Sequence, residues 1–162
     1  MKDKQIIVLM GGPSEEAEVS RRTGAAISEA LVSKGYKAQT LELNPRTVLQ
    51  DIDSLGGEVV FNAIHGRYGE DGALQGLLEM AEIPYTGSGI MAHAVGMNKK
   101  VSKDVFKGAN IPTARSESYN GNLESAEAII DHIRKEFTIP VVVKSATQGS
   151  SIGVTIVREE SQ

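Results

Sequence analysis

The chain contains no cysteine at all. That excludes disulfides, thiolate nucleophiles and zinc-ribbon sites, and it fits a reducing compartment. Long apolar runs are missing too. The longest candidate near the start, Ile6 to Met10, is too short for a signal-peptide core and is stopped at once by Gly11-Gly12. No stretch approaches the roughly 18–20 apolar residues of a membrane helix. A soluble cytoplasmic protein is expected. The formal net charge is -4 and no basic stripe stands out, so a nucleic-acid backbone is a poor partner. What is present suits a folded protein. Hydrophobic residues make up 40%, enough for a core, and the 23% of charged residues mix both signs, which argues against disorder. A length of 162 residues predicts one ordinary domain or two small ones.

The apolar pattern gives an alternation of strands and helices. Ile6–Met10 reads as a buried strand, β-branched and closed by two glycines. A helix from about Glu18 to Lys34 follows, with Val19, Ala26, Ile27, Ala30 and Leu31 at helical spacing and Gly35 as its C-terminal stop. Lys37–Leu43 and Val59–Ile64 are the next strands, and Leu74–Ala81 is a short helix. Pro84-Tyr85-Thr86 is a short extended piece. This order points to a parallel α/β layer, in which ligands bind beyond the carboxyl ends of strands. Two of those ends run into glycine-rich loops, after Met10 and after Ile64.

The character changes after about residue 95. Lys99, Lys100, Lys103 and Lys107 fall on a helix. Ala126–Phe137 is amphipathic, with Ile129, Ile130 and Ile133 inward. Pro140–Lys144 and Val154–Val157 are strands of a hairpin around a tight polar loop, residues 147–153. A hairpin with one or two helices makes a poor core. The second part therefore reads as unfinished and the chain as a fragment.

Three loops could carry chemistry. Gly149-Ser150-Ser151-Ile152-Gly153 with Lys144 before it suits a polyphosphate, because successive N–H groups in a turn form an anion-binding concavity. A plain hairpin turn is the bland alternative, and for Lys99 it is a solvated helix face. His65 stands with Arg67, Glu70 and Asp71 in a glycine-rich loop that could bind a small zwitterion or orient a phosphoryl acceptor. The same charges could simply hold the loop. Gly11 to Glu16 places carboxylates at a helix start, which repel pyrophosphate and suit an ammonium group. Such carboxylates also complement the helix dipole without any ligand.

Taken together, these segments resemble one family. Gly11-Gly12-Pro13-Ser14-Glu15-Glu16-Ala17-Glu18-Val19-Ser20 resembles the opening signature of D-alanine–D-alanine ligases, members of the ATP-grasp superfamily. His65-Gly66-Arg67-Tyr68-Gly69-Glu70-Asp71-Gly72 with Leu74-Gln75-Gly76 resembles their second signature, and Pro84–Gly89 and Met97-Asn98-Lys99 continue it in order. Lys144 with Gly149–Gly153 is similar to their phosphate-loop hairpin. The likeness covers essentially the whole chain.

The resemblance implies a Rossmann-like parallel-sheet substrate domain over residues 1–95. Part of the ATP-grasp central α+β domain would follow over 96–162. It implies an ATP-dependent carboxylate–amine ligase. ATP phosphorylates the carboxylate of one D-alanine, and the amine of a second attacks the acyl phosphate, which serves peptidoglycan precursor synthesis. Glu16 would bind the first D-alanine's ammonium, and His65 would lie near its carboxylate. Ser150 would share a hydrogen-bond network with Glu16, and Ser151 would lie at the transferring phosphoryl group. Lys99, Lys144, Gly149, Ser150 and Ser151 would contact ATP. The Mg²⁺ ligands would lie beyond residue 162, so the 162-residue piece alone would be inactive. The full-length protein would be a homodimer. Three positions depart from the family's usual pattern: Ala17 for a polar or basic residue, Asn98 for Asp, and Ser145 for Pro. Other readings are the nucleotide module of another ATP-grasp ligase, a ligase using D-lactate or D-serine, and a dinucleotide binder. The last lacks the G-x-G-x-x-G spacing at Gly11-Gly12.

Overall fold

The computed structural model describes residues 1–161, so Gln162, the last residue of the expected second domain, lies outside them. The chain divides into two compact units, Met1–Met97 and Asn98–Gln162.

In the first unit, β1 (Gln5–Met10), β2 (Lys37–Glu42) and β3 (Val59–Asn62) form a parallel sheet in the order β2-β1-β3. Tyr85 adds a single parallel bridge to Val60. The central strand is buried on both faces, which is why its sequence is a continuous apolar run without alternation. Ile7 and Leu9 pack with Val48 and Ile52 of α2 (Val48–Ser54), with Val60 of β3, and with Leu74 and Leu78 of α3 (Ala73–Met80). Ile6 and Val8 face the other way, toward Ile27 and Leu31 of α1 (Ala17–Ser33). A final helix, α4 (Ile90–Met97), closes the unit. Neither α2 nor α4 is foreseen from the sequence. Each is seven or eight residues long, and α2 carries only one buried apolar pair, Val48 and Ile52.

Helix α1 follows its apolar pattern only in part, with Ile27 and Leu31 on the sheet side. Val19, Ala26 and Ala30 are exposed. The buried stripe is Ser20 and Gly24, continued by the half-buried Ile27 and Leu31. The physical reason is close approach. A Cβ on Gly24 would lie 2.6 Å from the Cβ of Met10, so only glycine lets the helix settle on the end of β1. One turn earlier Ser20 is small and polar, and both of its hydrogen-bonding capacities are used. The expected glycine stop is present. Gly35 has φ 79, Tyr36 N–H bonds to Leu31 O at 3.0 Å and Gly35 N–H to Val32 O at 2.9 Å, a Schellman closure.

In the second unit, α5 (Lys99–Gly108) and α6 (Ala126–Glu136) accompany an antiparallel hairpin of β4 (Val141–Lys144) and β5 (Val154–Val157). Both helices are capped by side chains. Asn98 Oδ1 accepts from the N–H of Lys100 and of Val101, and Ser125 Oγ accepts from Ala128 N–H. Ile129 and Ile133 of α6 are half-buried, whereas Ile130, expected inward, is exposed. Among the described residues of this unit no side chain is fully buried. Val142 and Ile156, paired across the hairpin, are 51% and 46% exposed.

The buried Ser20 hydroxyl yields a test of the first unit. Ser20→Ala leaves Gly11 N–H and Ala63 C=O without their partner in a site closed to water. The expected cost is about 1–3 kcal/mol, seen as a lower urea midpoint. An unchanged midpoint would show that the bridge is dispensable.

Candidate functional site

Because β1 and β3 run parallel, the loops that follow them emerge at the same sheet edge, as the sequence led us to expect. Two hydroxyls stitch the loops together. Ser20 Oγ accepts from Gly11 N–H at 2.8 Å and donates to Ala63 O at 2.7 Å. Nearer the surface, Ser14 Oγ donates to His65 O at 2.8 Å and accepts from Glu16 N–H at 3.2 Å. Glu16 is half-buried and sits at the start of α1. Its carboxylate lies over Gly66, whose φ is 72, and a Cβ there would come within 2.9 Å of Glu16 Oε2. Among the described residues no donor reaches the Glu16 carboxylate.

The loop from His65 to Gly72 is held by its own groups. Glu70 Oε2 accepts from Gly66 N–H at 2.8 Å. Asp71 accepts from the N–H of Tyr68 and of Ala73 at 2.9 and 3.0 Å. Two amides converge on one carbonyl: Asn62 Nδ2 and Gln75 Nε2 donate to Gly69 O at 2.8 and 2.7 Å. Gln75 is fully buried. Glu70 and Asp71 are therefore mainly loop fasteners, and the alternative reading of a self-tied loop describes them well. Arg67 stacks over the Tyr68 ring at 4.9 Å. His65 is different. Its Nε2 lies 3.2 Å from Thr23 Oγ1, and its Nδ1 lies 3.9 Å from Glu70 Oε1, so the ring is oriented from both ends.

At the end of β2, Glu42 takes a forked contact from Arg21, with Nη2 to Oε1 at 2.8 Å, and accepts from Gly12 N–H at 3.3 Å. The Arg21 hydrogen bond holds this carboxyl below the usual carboxylate range, outweighing the opposing effect of burial, with Gly12 N–H adding to it. A Cβ on Gly11 (φ 70) would overlap that carboxylate. The sequence reasoning missed Ser14, Ser20, Asn62, Gln75 and the Arg21–Glu42 pair. Only Ser20 left a signal, as a polar residue in line with Gly24, Ile27 and Leu31 on one helix face.

In the second unit, Lys99 N–H bonds to Ala146 O at 2.9 Å, and its ammonium donates to Gln148 O at 2.6 Å. Lys99 thus meets the loop 147–153 rather than standing on a solvated face. Lys144 ends β4 and is exposed, as are Ser150 and Ser151, while Gly149 is half-buried. Ser150 has φ 51 and Gly153 φ 65. Backbone bonds inside the loop are donated by Ile152 to Gly149 O and by Val154 to Ser151 O. Among the described residues the N–H groups of Ser150 and Ser151 are unspent, the arrangement a turn needs to receive an anion.

Comparison with known proteins matches two family models in order. The model described as the D-ala D-ala ligase N-terminus matches residues 42–88, and the one described as the D-ala D-ala ligase C-terminus matches residues 105–162. The chain belongs to the D-alanine–D-alanine ligase family. It is 46% identical over 162 residues to the D-alanine–D-alanine ligase of Geotalea uraniireducens, covering 100% of this chain and 50% of that protein. Against the ligase of Moorella thermoacetica the figures are 45% over 164 residues, 98% and 52%. Among solved structures, the ligase of Bacillus anthracis matches with a TM-score of 0.75 at 32% identity, over 98% of this chain and 50% of that one. A Bacillus anthracis ligase complexed with ATP matches with a TM-score of 0.72 at 30% identity, over 98% and 51%. The chain spans about half the length of the curated relatives it matches.

Two of the three departures from the ligase pattern have a structural meaning. Asn98 caps α5, a task an aspartate performs equally well. Ser145 N–H donates to Gly153 O at 3.0 Å, a bond proline cannot make, so the β4–β5 hairpin carries one hydrogen bond that a proline there would remove. Nothing in the structure explains Ala17.

Gly66 supplies the test of this geometry. Gly66→Ala puts a side chain in the left-handed region, at about 1–2 kcal/mol, and pushes against Glu16. Denaturant unfolding should show the loss, and the Glu16 amide resonance should shift. A variant with neither change would show that Glu16 does not rest on Gly66.

Proposed function

We propose that this chain forms the first-substrate side and part of the nucleotide side of an ATP-dependent ligase that joins two D-alanines through a D-alanyl phosphate. The observation that carries the reading is the Glu16 carboxylate. It is half-buried, meets no donor among the described residues, and lies over Gly66, the residue that follows His65. A carboxylate kept without a partner at the carboxyl edge of a parallel sheet is suited to an ammonium group.

In this proposal Glu16 binds the ammonium of the first D-alanine. His65, fixed by Thr23 and Glu70, lies near the carboxylate to be phosphorylated. Residues 1–95 act as the substrate domain, and residues 96–162 are part of an ATP-grasp central domain. Lys99 and Lys144 neutralise phosphate charge, and Gly149, Ser150 and Ser151 offer small residues and unspent N–H groups to the phosphates. Ser151 also serves the transferring group. Such a division suits phosphoryl transfer, which rests on positioning and charge neutralisation. Among the described residues no cluster of three His, Asp or Glu side chains could hold a metal ion, so no step is assigned here to Mg²⁺. Homodimer assembly and a cytoplasmic place of action belong to the same proposal and rest on resemblance alone. Among the described residues, no helix is long and apolar enough to cross a membrane.

Two experiments test this. In the full-length ligase, Glu16→Gln should weaken the first D-alanine by about 10- to 150-fold, the equivalent of losing a charge-assisted bond of roughly 1.5–3 kcal/mol. The ATP constant should change far less, and an unmoved D-alanine constant in steady-state kinetics would defeat the reading. For the 162-residue chain alone, calorimetry with Mg-ATP should show weak binding or none, and D-alanine should release no phosphate. Micromolar ATP affinity or D-alanine-dependent phosphate release would show that these residues make a more complete site than proposed.

A further inference from the structure

We infer that Ser14 is a positioning residue that sets the distance between the ammonium-binding and carboxylate-binding ends of the first-substrate site. The inference rests on the assignment of Glu16 and His65 to that substrate. It starts from what holds Glu16. The Glu16 side chain has no donor of its own among the described residues, so the backbone must fix its place. Its C=O receives Ser20 N–H at 3.0 Å inside α1, and its N–H goes to Ser14 Oγ at 3.2 Å. The same Ser14 hydroxyl spends its single proton on His65 O at 2.8 Å. A hydroxyl has one proton to give and two lone pairs to offer, so both contacts can be made at once.

Ser14 therefore joins the main chain of Glu16 to the main chain of His65, residues far apart in sequence on two different loops. Ser20 makes a comparable bridge but one layer deeper. Its partners, Gly11 and Ala63, adjoin the strand ends, so its loss acts on folding. The Ser14 partners are the two proposed substrate residues themselves. An α-amino acid presents its ammonium and carboxylate at a fixed separation, and a site built for it must hold its two ends to within about 0.5 Å. A misplacement of this kind costs affinity without removing any substrate contact.

The test compares Ser14→Ala, Ser14→Thr, Ser14→Cys and Glu16→Gln in the full-length ligase. The readouts are the KM for the first D-alanine, the KM for ATP and the thermal midpoint. Loss of one bridging hydroxyl should raise the D-alanine KM about three- to tenfold. The ATP KM should stay within about twofold on the same scale. Threonine keeps the hydroxyl at this half-buried position and should restore the wild-type value, with cysteine intermediate. The threonine–cysteine order can be read even if the alanine variant is unstable. The inference falls if Ser14→Ala matches wild type while Glu16→Gln is impaired. It also falls if threonine behaves like alanine, or if D-alanine and ATP constants rise together with a lower thermal midpoint. If Glu16→Gln itself leaves D-alanine binding unchanged, the substrate assignment fails instead.

Discussion

The Ser20 hydroxyl sits in a place no water reaches, 0% exposed, between three segments of the first unit. It belongs to α1, accepts from the loop that leaves β1, and donates to the segment that leaves β3. A larger side chain would push the helix off the strand end, and an apolar one would strand two main-chain groups. Gly24, one turn later, answers the same demand for closeness by having no side chain. With helix and strand ends fixed this way, Glu16 at the start of α1 is brought over Gly66, and His65 is brought to Thr23. The site geometry is thus a consequence of how α1 is seated. The seating is decided by small residues rather than by hydrophobic bulk.

That explains which parts of the molecule were legible in the sequence. β1 was readable because a strand covered on both faces must be apolar throughout, and Ile6 to Leu9 are. The glycine stop of α1 was readable because only glycine adopts Gly35's conformation cheaply. The contact face of α1 was readable only in part. Hydrophobicity picked out Ile27 and Leu31, which pack on the sheet, along with Val19, Ala26 and Ala30, which are exposed, while the rest of the face is serine and glycine. The roles of Ser14, Asn62 and Gln75 were hidden for another reason. Their partners are main-chain carbonyls, which every residue has, so no pattern of side chains announces them. The loop carboxylates were visible, but their tasks were not. Glu70 and Asp71 look like ligand-binding groups in sequence and prove to be occupied by the loop's own N–H groups.

The second unit depends on different forces. Its helices are capped by Asn98 and Ser125, and Lys100–Asp104 and Arg115–Glu136 pair on its surface. Exposed ion pairs of this kind contribute little, typically below about 1 kcal/mol each. Burial is what usually secures a fold, and here it is scarce. Val105, Phe106, Ile111, Val142, Val143 and Ile156 keep about 40–50% of their surface in contact with solvent. Local hydrogen bonding therefore carries an unusual share of this unit's order. The Ser145–Gly153 bond matters more in such a setting than it would beside a packed core, because it closes the base of the β4–β5 hairpin loop directly.

The distribution of charge gives the two units complementary chemistry. Around the Gly11-Gly12 loop stand Glu15, Glu16 and Glu42, and Arg21 is already committed to Glu42. A helix start would ordinarily welcome a phosphate. Here a triphosphate approaching α1 would meet instead the Glu16 carboxylate, which no donor reaches among the described residues. At this edge the nearest group without a donor is negative, which suits the ammonium group of the proposed function. In the second unit the order is reversed. Lys99 is held against the loop by Gln148 O, Lys144 ends the strand before it, and among the described residues the N–H groups of Ser150 and Ser151 remain unspent. Such a loop suits an anion, as the proposed function has it. The proposed assignments of Glu16 to an ammonium group and of Lys99 and Lys144 to phosphate rest on this difference in sign.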